Sequence, residues 1–209
     1  LHFMPGAEYR GSSYGWILVS AAVEAAAGEP FLRVMRKQVF EPLGMDDTTA
    51  DVANGTLPDR AVPYFPRFAA DPKYGPDPMR DIDLSCYAGA AVFVSTPSDL
   101  VRFAVAMQRG TLVRPETVAR LQGPVHLTSG QPTGFYLGWD LGTATLAGTA
   151  TRMVGRRGTV LGGRVASLVT YPDLGLVVAV TSNTSYADTT TLASDVAGAF
   201  AAQAARAPR

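Results

Sequence analysis

Apolar positions along this chain fall into three regimes. From Tyr14 to Ala27 nearly every side of a helical turn is apolar; only Ser20 and Glu24 interrupt it, and Gly28 stops it. A helix apolar almost all round is expected in a core. Pro30 suits a first helical position. Leu32, Met35 and Val39 then recur as a stripe expected to be buried, with Arg33, Arg36 and Lys37 facing water. This second helix is expected to end before Pro42. Between Leu57 and Pro78 neither a helical nor a strand period holds. Six of the fifteen prolines lie there, so the stretch reads as an ordered but irregular loop.

Helical spacing returns at Leu100, Phe103, Ala104 and Met107. Thr96 can cap that helix, Pro97 fits its first position, and Asp99 stands where a capping box places its acid. The last third changes to strand patterning. Tyr136 to Leu146 suggests one strand; Val165 to Tyr171 and Leu176 to Ser182 flank Pro172-Asp173-Leu174-Gly175 as a hairpin. Leu176-Val177-Val178-Ala179-Val180 is apolar on both faces and is expected to be central. Thr189 to Ala205, rich in alanine, is expected to form a helix on the sheet. The fold class that results is α+β, an antiparallel sheet flanked by helices.

Composition narrows the partners. Eighteen basic residues balance eighteen acidic ones, so no net field draws the chain to nucleic acid. No run of about 18 apolar residues is present, so no membrane span is expected in this chain. His2 and His126 are far apart without metal-ligand spacing, and dinucleotide or phosphate-loop fingerprints are absent, so neither metal nor cofactor is expected. Cys86, the single cysteine, excludes an internal disulfide and reads as a small buried hydrophobe. Nothing indicates the compartment.

The chemistry-bearing phrases come in a fixed order. Pro5-Gly6 is followed four residues later by Gly11-Ser12-Ser13 and the apolar helix. Glu41-Pro42-Leu43-Gly44-Met45-Asp46-Asp47-Thr48 comes next, then Ala88-Gly89-Ala90-Ala91-Val92-Phe93-Val94-Ser95-Thr96-Pro97-Ser98-Asp99-Leu100. Together these resemble the penicillin-recognising serine hydrolases: class C β-lactamases, DD-peptidases and related esterases. The resemblance covers nearly the whole chain. It implies a β-lactamase/transpeptidase-like fold, incomplete without an upstream segment, with 1–209 as the C-terminal portion of one domain. Within it, 1–56 would hold an active-site segment and helices, 57–87 the proline-rich loop, and 88–209 helices, antiparallel strands and a closing helix.

Catalysis in that family uses three elements. A Ser-x-x-Lys supplies the nucleophile and a lysine that helps to take its proton. No Ser-x-x-Lys exists here; Lys37 and Lys73 follow Val34 and Ala70 at that spacing. The resemblance therefore implies a segment or separate chain carrying it, upstream of Leu1. The second element, Tyr-x-Asn, falls on Gly11, Ser12 and Ser13, so the tyrosine position is vacated. Three explanations stand: tyrosine replaced to trap a substrate complex, a naturally weakened or inactive relative, or transfer of the role to Tyr14 or Tyr9. Independently of the resemblance, Ser12 and Ser13 make good helix caps, and Tyr14 also reads as a core aromatic. The third element, a basic residue, any residue and glycine on an edge strand before a second glycine, falls on Arg156 and Gly158 ahead of Gly162-Gly163. A one-residue slip would select Arg157. Arginine can grip a carboxylate bidentately, and the residue after the glycine, Thr159, would donate a backbone N–H to an oxyanion.

The expected activity is acyl transfer from an ester, amide or β-lactam to water or another acceptor, through an acyl-enzyme. The alternative is an inactive relative that binds a peptide or acyl ligand in the same cleft.

Overall fold

The fold is described from a computed structural model, which covers residues 2–51, 57, 59–67, 71–79, 82–133, 136–160 and 163–206. The apolar helix forms as α1, Ser13–Ala27. The Ser12 side chain accepts from the Gly15 N–H at 3.2 Å, and Gly28 closes the helix in the left-handed conformation. Its setting corrects the core expectation, because Ser20 is its one buried residue while Tyr14, Trp16, Leu18 and Val19 are substantially exposed. One side of α1 is packed, against α4 (Ala88–Ala91); a Cβ at Gly89 would collide with the Trp16 carbonyl. Little else among the described residues covers α1, so its uniform apolarity is left facing outward.

After α1, α2 (Phe31–Met35) begins where the Glu24 carboxylate accepts from the Phe31 N–H at 2.8 Å. Its buried positions are Phe31, Val34 and, in the following π turn (Arg36–Phe40), Phe40. Leu32, Met35 and Val39 are half-buried, because the wide turn rotates the stripe away from a regular period. The helix also runs past Pro42 into α3, Glu41–Leu43. Proline is tolerated there because the π turn restarts the helix just before it, and an N–H in a first turn has no intrahelical partner to lose.

Two short strands, β1 (Thr49–Ala50) and β4 (Phe93–Val94), pair antiparallel. The proline-rich stretch is more regular than expected. Within it β2 (Tyr64–Pro66) and β3 (Pro76–Pro78) form an antiparallel pair around a 3₁₀ turn at Pro72–Tyr74. Three-residue strands are too short to show a period. Cys86 is exposed, contrary to the buried reading. It sits in a single 3₁₀ turn, Ser85–Tyr87, where Leu84 just before it takes the inward position.

The helix α5, Pro97–Arg109, starts at Thr96, whose side chain accepts from the Asp99 N–H at 3.3 Å. Asp99 does not complete a reciprocal box. Its fully buried carboxylate reaches across to the Asp47 N–H at 3.1 Å and the Thr48 hydroxyl at 2.8 Å, and Thr48 also bonds Ser95 at 2.8 Å. Two of the quoted phrases are thereby locked together. A short α6 (Pro115–Leu121) follows.

The main sheet has the order β5-β6-β7-β8, all antiparallel: β5 Asp140–Leu146, β6 Thr149–Val160, β7 Arg164–Tyr171 and β8 Leu176–Ser182. α7, Thr189–Arg206, crosses one face and α5 lies on the other. Leu146, Val169, Tyr171 and Val178 meet Ala193 and Ala197 of α7 in the core. β8 is an edge strand among the described residues, not a central one. Its apolarity on both faces has a local cause, since α5 and α7 cover the two faces.

Candidate active site

The Pro5-Gly6 turn is held by Thr128, whose N–H and hydroxyl both donate to the Gly6 carbonyl, at 2.9 and 3.2 Å. That contact fixes where the chain enters Gly11-Ser12-Ser13. Ser12 is the cap of α1 and Ser13 its first residue; both are exposed, as is Tyr14 at 69%. Tyr14 is therefore not a core aromatic. A Cβ on Gly11 would meet one atom within 4 Å, the Tyr9 hydroxyl at 3.9 Å, and the backbone there is not left-handed. Position 11 has room for a side chain, and the Tyr9 phenol lies beside that room.

On the sheet, β5 ends at Asp140 opposite Gly155, so Arg156 to Val160 pair with β7 alone. This is a free edge among the described residues. Strand alternation separates the two arginines. Arg157 stands opposite Ser167, whose hydroxyl bonds Thr189 of α7 at 2.7 Å, so it faces α7. It also contributes to the lowered pKa of Asp188, which is held down first by the Thr191 side chain. Arg156, opposite Leu168, projects from the other face, the side of α5. It pairs with Asp140 at 2.9 Å, both side chains half exposed, a geometry that contributes little stability.

Gly158 differs from its neighbour Gly155. A Cβ at Gly155 would strike the Leu168 carbonyl at 2.6 Å, so packing demands glycine there; at Gly158 nothing lies within 4 Å. Packing does not require glycine at 158, and its absent side chain leaves the edge open to close approach. Thr159 is exposed beside it. Gly162 lies outside the described residues.

Two bridges link this edge to α1. At one end a Cβ placed on Gly138 would lie 3.6 Å from the Trp16 ring, two residues before Asp140 and its partner Arg156. At the other, Val160 shares a cavity of about 380 Å³ with Phe31, Met35, Val92 and Phe93, walled by α4, which packs on α1. Gly11, Ser12 and Ser13 thus lie at the start of a helix whose Trp16 reaches toward Gly138 and whose α4 neighbour lines the cavity that Val160 also lines. Sequence reasoning had no signal for Asp140 as the partner of Arg156, nor for Trp16 as the bridge.

Among the described residues no group of His, Cys, Asp and Glu could hold a metal, and no helix is long and apolar enough to cross a membrane.

A helical layer packed on an antiparallel sheet, with a serine pair opening α1 and a free glycine-bearing edge on β6, is the layout of a β-lactamase-like serine hydrolase. The chain belongs to that family: the model described as Beta-lactamase matches residues 1–202. Penicillin-binding protein 4* of Bacillus subtilis is 26% identical over 149 residues, 67% of this chain and 33% of that protein. The mitochondrial serine beta-lactamase-like protein LACTB of Mus musculus is 28% identical over 155 residues, 67% of this chain and 26% of that protein. Among solved structures, a penicillin-binding protein homologue from Pyrococcus abyssi, described as octameric, superposes with a TM-score of 0.75 at 18% identity. That match covers 95% of this chain and 44% of the other. A D-stereospecific amidohydrolase from Streptomyces sp. gives 0.73 at 20% identity, over 93% and 56%. The chain spans a third or less of these curated relatives' length.

Proposed function

We propose that this chain forms the substrate-binding side of an acyl-enzyme site acting on an ester or amide, with the nucleophile supplied by a Ser-x-x-Lys outside these 209 residues. The observation that carries this reading is Gly158, a glycine that packing does not require, on the open edge of β6. In this reading the substrate lies along Arg156–Val160. The Arg156 guanidinium exchanges Asp140 for a substrate carboxylate, and the Thr159 N–H points to the developing oxyanion. The Ser13 hydroxyl bonds the acyl group where relatives use an amide side chain. That replacement, together with amidohydrolase and D-amino acid amidase among the similar folds, favours esters and amides over β-lactams. The nucleophilic Oγ attacks the carbonyl carbon, its proton passes to a base, and the alcohol or amine leaves with a proton.

The base position is vacated at Gly11. Tyr9, whose hydroxyl stands beside it, is the nearer substitute; Tyr14 begins on the helix and is exposed to water. A second reading, an inactive relative that binds a peptide or acyl ligand, is favoured by the same vacancy at Gly11.

Intact mass of the gene product before and after a fluorophosphonate probe distinguishes the two. The enzyme reading expects one serine adduct, formed faster in Gly11→Tyr and slower in Tyr9→Phe. No adduct in any form, with a Ser-x-x-Lys present in the sample, removes the enzyme and leaves the binding protein.

A further inference from the structure

The end of the sheet at which β6 stops is tied to the helical layer by one buried carboxylate. Asp51 follows β1 directly and is buried. Its N–H donates to the Val92 carbonyl at 2.7 Å. Val92 follows α4, which packs on α1, and lines the cavity that Val160 also lines. On the side chain of Asp51, Oδ1 accepts from Arg60 at 2.5 Å and Oδ2 lies 3.1 Å from the Arg164 guanidinium. Arg164 opens β7 opposite Val160, the last residue of β6. Asp51 thus holds Val92 through its backbone and the Val160–Arg164 pair through its carboxylate.

The tie to the sheet is a charge contact, since among the described residues Oδ2 accepts no hydrogen bond. Both arginine side chains are mostly buried. An apolar cluster of the same volume would serve stability as well or better, because burying charges costs solvation. A charge pair adds a defined distance and direction between the parts it joins. The same end of the sheet is gripped from a second side. A Cβ on Gly163 would collide with the Met79 sulfur and stand 3.0 Å from Pro63, so the root of the β2–β3 pair lies against the β6–β7 connection. The Met79 N–H donates to the Pro63 carbonyl at 2.8 Å. Tyr64 then donates to the Asn183 carbonyl at 2.6 Å and accepts from the Ser185 N–H at 3.2 Å, just past β8. Arg60, in the chain leading to that root, is the other partner of Asp51.

We propose that Asp51 and Arg164 are positioning residues of the acyl site. Their contact sets the distance between the helical layer, which carries Gly11, Ser12 and Ser13, and the far end of the Arg156–Val160 edge. The Thr159 N–H is thereby held where the oxyanion develops. This role rests on the functional reading above. The pair acts through Val92 and Val160 on transition-state alignment, and leaves binding of the ground state as it is.

The test uses the complete gene product and an alkyl fluorophosphonate, with inactivation resolved into KI and kinact. Arg164→Met is the informative change, because Asp51 keeps Arg60 and only the tie to the sheet is cut. It should lower kinact by roughly 10- to 100-fold, the penalty of a small misplacement, with KI within about twofold. Arg164→Lys keeps the charge and should recover most of the rate. Amide exchange at Val160 and Val165 should be on the order of 10-fold faster in Arg164→Met, with Asp140–Leu146 unchanged. If Arg164→Met fails to fold, Arg164→Gln carries the same expectation. Unchanged exchange overturns the proposal. So does, in a parent that labels, an unchanged kinact, a loss confined to KI, or a loss that Arg164→Lys leaves in place. Faster exchange with no adduct in any form supports the tie and sinks the hydrolase reading alone.

Discussion

Removing the Asp99 carboxylate should have the largest effect of any single change at the surface-remote end of α5. Asp99 is fully buried, and one oxygen accepts from both the Asp47 N–H and the Thr48 hydroxyl, at 3.1 and 2.8 Å. Each charge-assisted bond contributes about 1.5–3 kcal/mol. The other oxygen takes Arg102 at 2.6 Å, but that side chain is half exposed, so its pairing adds at most about 1 kcal/mol. Asp99→Ala should therefore cost roughly 3–5 kcal/mol, and leave the Asp47 N–H without its carboxylate partner. Thr48→Val removes one of these bonds together with the Thr48–Ser95 bond and should cost about 2 kcal/mol. Because the two share a contact, the double variant should lose less than the sum, by about 1 kcal/mol. In urea unfolding followed by circular dichroism, a slope of about 2 kcal/mol/M places the Asp99→Ala midpoint roughly 1.5–2.5 M below the parent. A shift under about 0.5 M, or strict additivity with Thr48→Val, would refute the inference that this carboxylate locks the two segments.

Three further outcomes follow from the structure. Gly89→Ala drives a methyl into the Trp16 carbonyl of α1, where backbone cannot yield cheaply, and should cost about 3 kcal/mol in thermal unfolding; an unchanged Tm would mean α1 and α4 are not in contact. Asp51 is buried between Arg60 at 2.5 Å and Arg164 at 3.1 Å, so Asp51→Ala leaves two cations facing each other and should destabilise by about 3–5 kcal/mol. Asp51→Ala combined with Arg164→Met should recover part of that loss. Asp188 has its pKa lowered from 3.8, mainly by the Thr191 side chain, so its contribution to α7 is complete above 3.8 and is lost as pH falls through the depressed value. Asp188→Asn should flatten the acid limb of a Tm–pH profile, and an identical limb would refute the linkage.

What was legible in the sequence was what short spans decide. The ends of α1 were readable because Ser12 and Gly28 act within a turn of the residues they cap, and the β7–β8 hairpin because its turn residues are adjacent. Misreadings came where distant chain decides. The apolar run of β8 reports that both faces are covered and says nothing of which strands flank it. The apolar run of α1 reports what the helix requires, not what the described residues supply. Asp99 looked like a local cap, yet its carboxylate serves residues 51 and 52 positions earlier. For the candidate site, the motif spacing nominated Gly11, Ser13 and Arg156. Strand alternation puts Arg156 and Arg157 on opposite faces of β6, a separation that depends on the pairing with β7.

The long reach of the Asp99 contact also sets an order in time. Thr48 leaves the ribosome 51 residues ahead of its partner. At about 5–20 residues per second, it waits roughly 3–10 s before that carboxylate exists. During that interval α1 and the turn at Gly44 can form as local helix and cap, but the contact that ties residues 47 and 48 to α5 is not yet available. The junction between these two segments is therefore made only once α5 has been synthesised.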